Sequence, residues 1–303
     1  MLISIIMATY NRDAFILETL NSIKNQTYIN YECLIIDDGG TDNTFKVIEP
    51  ILKDKKFKFF NRPKSYKKGL CGSRNFGLDI AKGDFIIFFD DDDIVHPKLL
   101  ETLLSIFKDN NMVDFIHFKK KSFENNFNYS ILEKRLNISY KYLKDTLFEE
   151  VILGKLPLAS CTVLWRKKVF EKKRFNEDLH YAEEWELYSR FFIEKNIKGI
   201  VFNDILYFNR KHINSNTGEF WSNNPKRINS MKLATQKILE FVILKNKLTY
   251  TLFKYFIGQA HLHNIPNIIK IIFKERRSVK MVFYNFLFPL RYRIYKFLKN
   301  FKK

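Results

Sequence analysis

Short apolar runs alternate with helical patterns through the first 118 residues of the chain. The runs of strand length occupy residues 2–7, 33–36, 57–60, 85–89 and 113–118. Between the first two runs, Ile16, Leu20 and Ile23 recur at the spacing of one helical face. Because strands joined by helices form right-handed crossovers, this pattern predicts an α/β fold with a mostly parallel sheet that helices cover on both faces.

The pattern changes after residue 118. Residues 119–155 are polar and rich in Lys and Asn, and a strand-like segment, residues 159–165, follows them. A helix is predicted to begin near Glu183, and a strand is predicted over residues 199–208. We therefore divide the chain into residues 1–118, residues 119–220 and a C-terminal region, residues 221–303, which is predicted to be helical, amphipathic and basic.

The net charge of +19 is concentrated in this C-terminal region. Residues 221–303 contain 18 Lys and Arg residues and only two acidic residues, Glu240 and Glu275, which gives the region a net charge of +16. From residue 281 onward, basic residues alternate with aromatic ones, as in segments that lie on a membrane surface. A nucleic-acid-binding tail and a pair of solvated helices are the alternatives. We expect binding to a membrane surface and no nucleic-acid partner.

The remaining composition favours a cytoplasmic protein. Residues 1–7 are interpreted as a buried strand and not as a secretory signal, because a basic leader and a small-residue cleavage site are missing. No apolar run reaches the length of a membrane-spanning helix. The three cysteines, Cys33, Cys71 and Cys161, have no CxxC spacing and support neither a disulfide framework nor a zinc site. We predict a peripheral protein on the inner face of the plasma membrane.

Four consecutive aspartates, residues 90–93, follow the predicted strand over residues 85–89. Their mutual repulsion would be costly without a cation among them, and hard oxygen ligands suit Mg²⁺ or Mn²⁺. Because such ions complete their coordination shell with water and substrate phosphates, the implied partner is a diphosphate. A solvated acidic loop is the alternative, but the buried strand before it and the helix predicted from Pro97 make that interpretation less favourable.

Two further clusters are predicted to reach the same edge of the sheet. Asp38 stands in the segment DDGGTD, residues 37–42, after the strand over residues 33–36, and ligands of parallel sheets gather at the carboxyl ends of strands. Arg74 follows a glycine-rich turn that enters a short helix after Gly72, where amide groups and a guanidinium can meet phosphate. Helix capping alone would also explain Asp42.

Taken together, these segments resemble a known family. SIIMATYNR (residues 4–12), DDGGTD (residues 37–42) and SRNFGLDIAKGDFIIFFDDDD (residues 73–93) stand in the order and at the separations of family 2 inverting glycosyltransferases, which have the GT-A fold. Gly40 stands where the family often has serine. The resemblance is dense over residues 1–118, looser over residues 183–215 and weak in the C-terminal region.

The resemblance implies a nucleotide-sugar site in residues 1–118. The residues that would bind the donor are Ala8, Thr9, Tyr10, Arg12, Asp38, Arg74, Asp90 and Asp91. Asp38 would help to hold the base, and Arg74 would lie near the diphosphate. Asp92, together with Asp90, would bind Mg²⁺ or Mn²⁺, although four aspartates in a row leave this assignment open by one residue.

Residues 119–220 would then form the acceptor half. Glu184, in the segment AEEWEL, matches the acidic position that serves the family as general base toward the acceptor hydroxyl. The family commonly has aspartate there, so Glu183 is the alternative, and the helix macrodipole alone also favours carboxylates in a first turn. Arg210 and His212 lie in a segment, residues 207–218, that resembles a family loop able to fold over the donor diphosphate.

The expected activity is that of a metal-dependent inverting hexosyltransferase in cell-surface polysaccharide biosynthesis. It would move a sugar from a nucleotide-diphosphate donor, such as a UDP-sugar, to a hydroxyl of a glycan or lipid-linked acceptor. A sugar-phosphate nucleotidyltransferase is one alternative, but it would usually need a glycine-rich loop after the first strand, and residues 8–13 contain no glycine. A non-catalytic adaptor is another, but it would not require four aspartates at a strand end.

Overall fold

The computed structural model describes residues 1–144, 147–211, 216–275, 284 and 286–288. Its strands are β1 (Ile3–Thr9), β2 (Tyr31–Asp37), β3 (Phe57–Asn61), β4 (Phe85–Phe89), β5 (Ile94–Val95), β6 (Phe115–Phe123), β7 (Tyr140–Tyr142), β8 (Val163–Arg166) and β9 (Gly199–Arg210). Its α-helices are α1 (Ile16–Lys24), α2 (Thr44–Ile48), α3 (Leu70–Ile80), α4 (Leu99–Asp109), α5 (Phe148–Ile152), α6 (Glu183–Glu194), α7 (Asn216–Trp221), α8 (Pro225–Leu244), α9 (Tyr250–Leu262) and α10 (Pro266–Glu275).

One mixed sheet organises the fold, with the strand order β3-β2-β1-β4-β8-β6-β9-β5 and with β7 also paired to β9. The first four strands are parallel to one another, as the alternating pattern predicted. β8 runs antiparallel to both β4 and β6, whereas β6 and β9 are parallel. The predicted α/β fold is confirmed, and its parallel pairing is concentrated in the half of the sheet that begins the chain.

Helices cover both faces of the sheet. Alternate residues of β1 enter different cores, because successive side chains of a strand point to opposite faces: Ile5 packs with α1 and α4, and Ile6 packs with α3 and α6. All five residues of β4 are buried. This two-sided burial explains why the strands are continuous apolar runs without polar alternation.

Two helices begin at positions other than those predicted. α3 begins at Leu70, so that Gly72 and Arg74 lie inside it, whereas the sequence indicated a short helix after Gly72. A Cβ atom at Gly72 would stand 2.0 Å from the carbonyl oxygen of Lys67, so this glycine allows a close approach of two backbones. α4 begins at Leu99, which places Pro97 before the helix and not in its first turn.

The described part of the C-terminal region folds against the rest of the molecule. Ile238 of α8, Phe256 of α9 and Ile268 of α10 share a core with Ile152 and Ile193 of α5 and α6. In the parts of the chain that the structure describes, no helix combines the length and the apolarity needed to cross a membrane. Most of the basic, aromatic segment from residue 281 lies outside the described residues, and β6 runs across position 118, so the predicted three-part division stays a prediction.

Two helical glycines with different surroundings test this packing. A Cβ at Gly77 would lie 2.4 Å from Cγ2 of Ile6, whereas a Cβ at Gly258 would lie 3.7 Å from the ring of Phe288, an ordinary contact. We expect Gly77→Ala to lower the free energy of unfolding by about 1–3 kcal/mol because it overpacks a stiff side chain. Gly258→Ala should raise it by about 0.5–1 kcal/mol through helix propensity. Urea unfolding followed by circular dichroism measures both, and equal effects would contradict the packing described.

Candidate active site

A cavity of about 1470 Å³ opens at the carboxyl ends of β1 and β4. Every predicted site residue within the described chain lines it: Ala8, Thr9, Tyr10, Arg12, Asp38, Arg74, Asp90, Asp91, Asp92, Glu184 and Arg210. His212 lies outside the described residues. Residues that stand up to 202 positions apart therefore meet in one cleft, as expected for strand ends at one edge of a sheet.

Asp38 is held in place by donors from two neighbouring segments. Its Oδ1 accepts hydrogen bonds from Nε of Arg62 at 2.5 Å, from the backbone N–H of Gly69 at 2.9 Å and from the hydroxyl of Ser73 at 3.2 Å. Arg62 was not among the predicted site residues. It directly follows β3, whose carboxyl end lies at the same edge of the sheet. This carboxylate is fixed at the cavity wall before any ligand binds.

The middle aspartates of the run are paired with Arg12. Its Nε lies 3.1 Å from Asp91 Oδ1, and its Nη2 lies 4.0 Å from Asp92 Oδ2. Burial raises the pKa of Asp91 to about 7, with Arg12 opposing the shift and Asp92 adding to it. The charged form of this carboxyl group is therefore costly, and an additional cation nearby would stabilise it.

The last aspartate of the run contacts β9. Asp93 Oδ1 accepts a hydrogen bond of 2.7 Å from the backbone N–H of Arg210. The hydroxyl of Tyr207, also on β9, accepts a hydrogen bond of 3.1 Å from the backbone N–H of Asp90. Burial raises the pKa of Asp93, to which Asp90 and Asp92 add. Asp93 thus anchors residues 90–93, which we call the acidic loop, to β9.

Arg74 joins the acidic loop to the start of α6. Its guanidinium is 3% exposed and lies 3.2 Å from Asp90, 3.1 Å from Glu184 and 3.6 Å from Glu183. Although burial opposes its charged form, Glu184, Asp90 and Glu183 raise the pKa of Arg74, so it remains a cation. The resemblance places this arginine near a diphosphate, and the structure places it between carboxylates of two motifs.

Glu183 and Glu184 differ in their access to the cavity. Both belong to the first turn of α6, which follows Ala182 in a left-handed conformation with φ of 63°. Their side chains are 10% and 25% exposed, respectively. Burial raises the pKa of Glu183 to about 7, and the charge of Glu184 adds to the shift. Glu184 is therefore the more accessible of the two carboxylates.

Each of the three guanidinium nitrogens of Arg210 has a hydrogen-bond partner. Its Nη2 lies 2.5 Å from Glu18, its Nε donates to the carbonyl oxygen of Asp92 at 2.9 Å, and its Nη1 donates to the carbonyl oxygen of Asn125 at 2.9 Å. The guanidinium also lies 4.6 Å from the ring centre of Phe123. These contacts fix Arg210 under the acidic loop, whereas its predicted role in a lid stays a prediction.

The donor set fits a hard divalent cation that shares its ligands with a substrate. Asp90, Asp91 and Asp92 present carboxylate oxygens to the cavity, and burial raises the pKa of Asp91. Within the described ranges, no three acidic, histidine or cysteine side chains converge to form a metal site by themselves. Mg²⁺ and Mn²⁺ commonly take only one or two protein carboxylates and complete their shell with substrate phosphates.

Two bacterial relatives share sequence with the chain. A beta-1,3-glucosyltransferase of Campylobacter jejuni, named for GalNAc(5)-diNAcBac-PP-undecaprenol, is 30% identical over 200 residues, which cover 64% of this chain and 60% of the relative. The Escherichia coli enzyme WfgD, named as a UDP-Glc:alpha-D-GlcNAc-diphosphoundecaprenol beta-1,3-glucosyltransferase, is 40% identical over 126 residues, which cover 41% of this chain and 48% of the relative. The chain spans less than two thirds of the length of either relative.

Solved structures share the fold. Residues 1–349 of S. aureus TarS in complex with UDP superpose with a TM-score of 0.61 at 18% identity, over 92% of this chain and 76% of that fragment. The mannosyltransferase PcManGT of Pyrobaculum calidifontis, in complex with GDP-Man and Mn²⁺, has a TM-score of 0.56 at 14% identity, over 92% of this chain and 77% of that one. The family model described as glycosyl transferase family 2 matches residues 4–173. With the GT-A-like fold and the motifs that line its cavity, the chain belongs to glycosyl transferase family 2.

Proposed function

We propose that this chain transfers a sugar from a UDP-sugar to a hydroxyl of a lipid-linked or cell-surface glycan, with inversion at the anomeric carbon. The observation that carries the proposal is the cavity in which Asp38, the acidic loop and Glu184 meet. The names of the two relatives, which refer to undecaprenol-linked substrates and in one case to UDP-Glc, support the choice of donor and acceptor.

The donor would occupy the end of the cavity nearest β1. Ala8, Thr9 and Tyr10 line this end, and Asp38 is preorganised there to accept a hydrogen bond from a nucleobase. Arg12, which contacts Asp91, is the remaining residue proposed to bind the donor at this end. These residues would fix the nucleotide and leave the sugar directed toward α6.

Asp92 and Asp90 would hold Mg²⁺ or Mn²⁺, and Mn²⁺ accompanies the sugar nucleotide in PcManGT. When bound, this ion would neutralise negative charge that develops on the departing diphosphate. Arg74 would keep the carboxylate of Asp90 oriented at the cavity. Arg12 and Arg74 together would also offset the repulsion within the acidic loop.

Glu184 would act as general base toward the acceptor hydroxyl. Its carboxylate lines the cavity, and Arg74 holds one of its oxygens at 3.1 Å, which fixes the orientation of the side chain. The hydroxyl proton would pass to Glu184 as the acceptor oxygen attacks the anomeric carbon from the face opposite the departing diphosphate. One displacement of this kind inverts the configuration.

The basic C-terminal region would bring the enzyme to its acceptor. With 18 Lys and Arg residues in residues 221–303, this region suits the anionic inner face of a plasma membrane. Such a position would place a peripheral enzyme at the cytoplasmic surface, beside lipid-linked acceptors.

Paired substitutions at the start of α6 test the general base. We expect Glu184→Gln to lower kcat by about 10²- to 10⁴-fold, because the amide cannot accept the hydroxyl proton. Glu183→Gln is the matched variant, and its effect on kcat should be at least tenfold smaller because its side chain is less accessible. Release of UDP in the presence of acceptor measures both, after circular dichroism has confirmed folding. A larger loss in Glu183→Gln would transfer the role to Glu183.

Removal of one carboxylate tests the metal. We expect Asp92→Asn and EDTA each to abolish sugar transfer while the fold is retained, because the departing diphosphate would lose its counter-charge. Asp109→Asn, which changes an exposed carboxylate at the end of α4, is the control and should keep wild-type transfer. Calorimetry of UDP binding with and without Mn²⁺ provides a second readout. Full activity in EDTA would contradict the metal role.

A further inference from the structure

Acidic and basic side chains line the same cavity. The carboxylates of the acidic loop and of α6 were described above. The lining also includes His180, Lys226 and Arg227, which we call the cationic cluster. His180 belongs to the loop that leads into α6, and the other two residues belong to the first turn of α8. The proposed donor site and base use none of these three side chains.

The cationic cluster is electrostatically unfavourable in the free protein. The first turn of α8 contains no acidic residue, and cations there are opposed by the helix dipole. Burial lowers the pKa of His180, and the charges of Lys226 and Arg227 lower it further. Glu219 compensates Arg227 at 2.7 Å, but across the described ranges no carboxylate forms an ion pair with Lys226. An anion bound among these groups would relieve their repulsion.

Hydrogen bonds fix the cluster relative to the predicted base. The hydroxyl of Ser230 on α8 accepts hydrogen bonds from the backbone N–H groups of His180 at 2.8 Å and Tyr181 at 2.9 Å. Arg227 also donates to the carbonyl oxygen of His180. Because His180 and Glu184 stand four positions apart in the sequence, their Cα atoms lie at most about 15 Å apart. That span suits an acceptor whose reacting sugar stands close to a second, charged group.

We propose that the cationic cluster binds a phosphate or diphosphate group of the acceptor. This rests on the proposed function, because it assigns the group to the acceptor and not to the donor, whose diphosphate belongs at the acidic loop. Lys226 supplies an ammonium group, and Arg227 and His180 add a guanidinium and an imidazole to the same lining, a combination suited to phosphate oxygens. The phosphate can come from a lipid carrier or from a phosphorylated glycan, which share this chemistry.

Anion binding can be measured without sugar transfer. The full chain is titrated by calorimetry in EDTA with inorganic phosphate, with farnesyl phosphate and with uncharged farnesol. EDTA prevents a phosphate from binding through a metal at the acidic loop, whose carboxylates would then repel it. The same titrations are repeated on Lys226→Ala and on Lys226→Glu. Lys237→Ala is the matched control, since Lys237 lies on the same helix but lines a different cavity.

We expect both phosphates to bind the wild-type chain and to bind Lys226→Ala at least about tenfold more weakly, because a charge-assisted contact is lost. Lys226→Glu should abolish binding, and Lys237→Ala should keep it. Tighter binding of farnesyl phosphate than of inorganic phosphate would identify a lipid carrier, and equal binding would identify phosphate itself. The proposal would be overturned if farnesol bound as tightly as farnesyl phosphate. It would also be overturned if Lys226→Ala and Lys237→Ala lost phosphate affinity equally. Failure of sugar transfer would leave this result intact, so the two hypotheses are tested separately.

Discussion

A buried guanidinium connects the two halves of the active site. Arg74 projects from α3 and reaches Asp90 at the end of β4 as well as Glu183 and Glu184 at the start of α6. Breaking a buried ion pair by removing one partner typically costs about 3–5 kcal/mol, because the remaining charges lose their compensation. Three carboxylates depend on this one cation, so their mutual positions depend on it too. Asp90, a predicted donor-binding residue, and the candidate base are thus held at a fixed separation before substrates enter.

The course of the sheet explains how the short acidic loop can connect β4 to β5. β4 and β5 are consecutive in the chain, yet β8, β6 and β9 separate them along the sheet. The pairing of β6 with β9 shifts register on either side of Lys119, and such irregularities increase local twist. The second half of β9 thereby returns to the end of β4, where Tyr207 bonds the backbone of Asp90. Only four residues are then needed to connect the two strands.

The sequence predicts the parts of this arrangement that depend on local pattern. Buried runs such as residues 85–89 and the helix from Glu183 are apparent from periodicity. The residues that motif order assigned to the site also line the cavity, where the structure describes them. The start of α3 was misjudged because Gly72 serves a close backbone approach and not a turn. β6 extends to Phe123 through polar, exposed lysines that carry no apolar alternation. The contacts of Arg74 with Glu183 and Glu184 join residues more than 100 positions apart, so no local pattern indicates them.

The four consecutive aspartates make different contacts in the folded protein. Asp90 pairs with Arg74 and Asp91 with Arg12, while Asp93 accepts a backbone hydrogen bond from β9. Asp92 lies at 4.0 Å from Arg12, at the limit of an ion pair. The repulsion that suggested a cation is therefore partly offset by two arginines and a backbone donor. A divalent ion that bridges Asp92 and a donor diphosphate, as proposed, would add to this compensation.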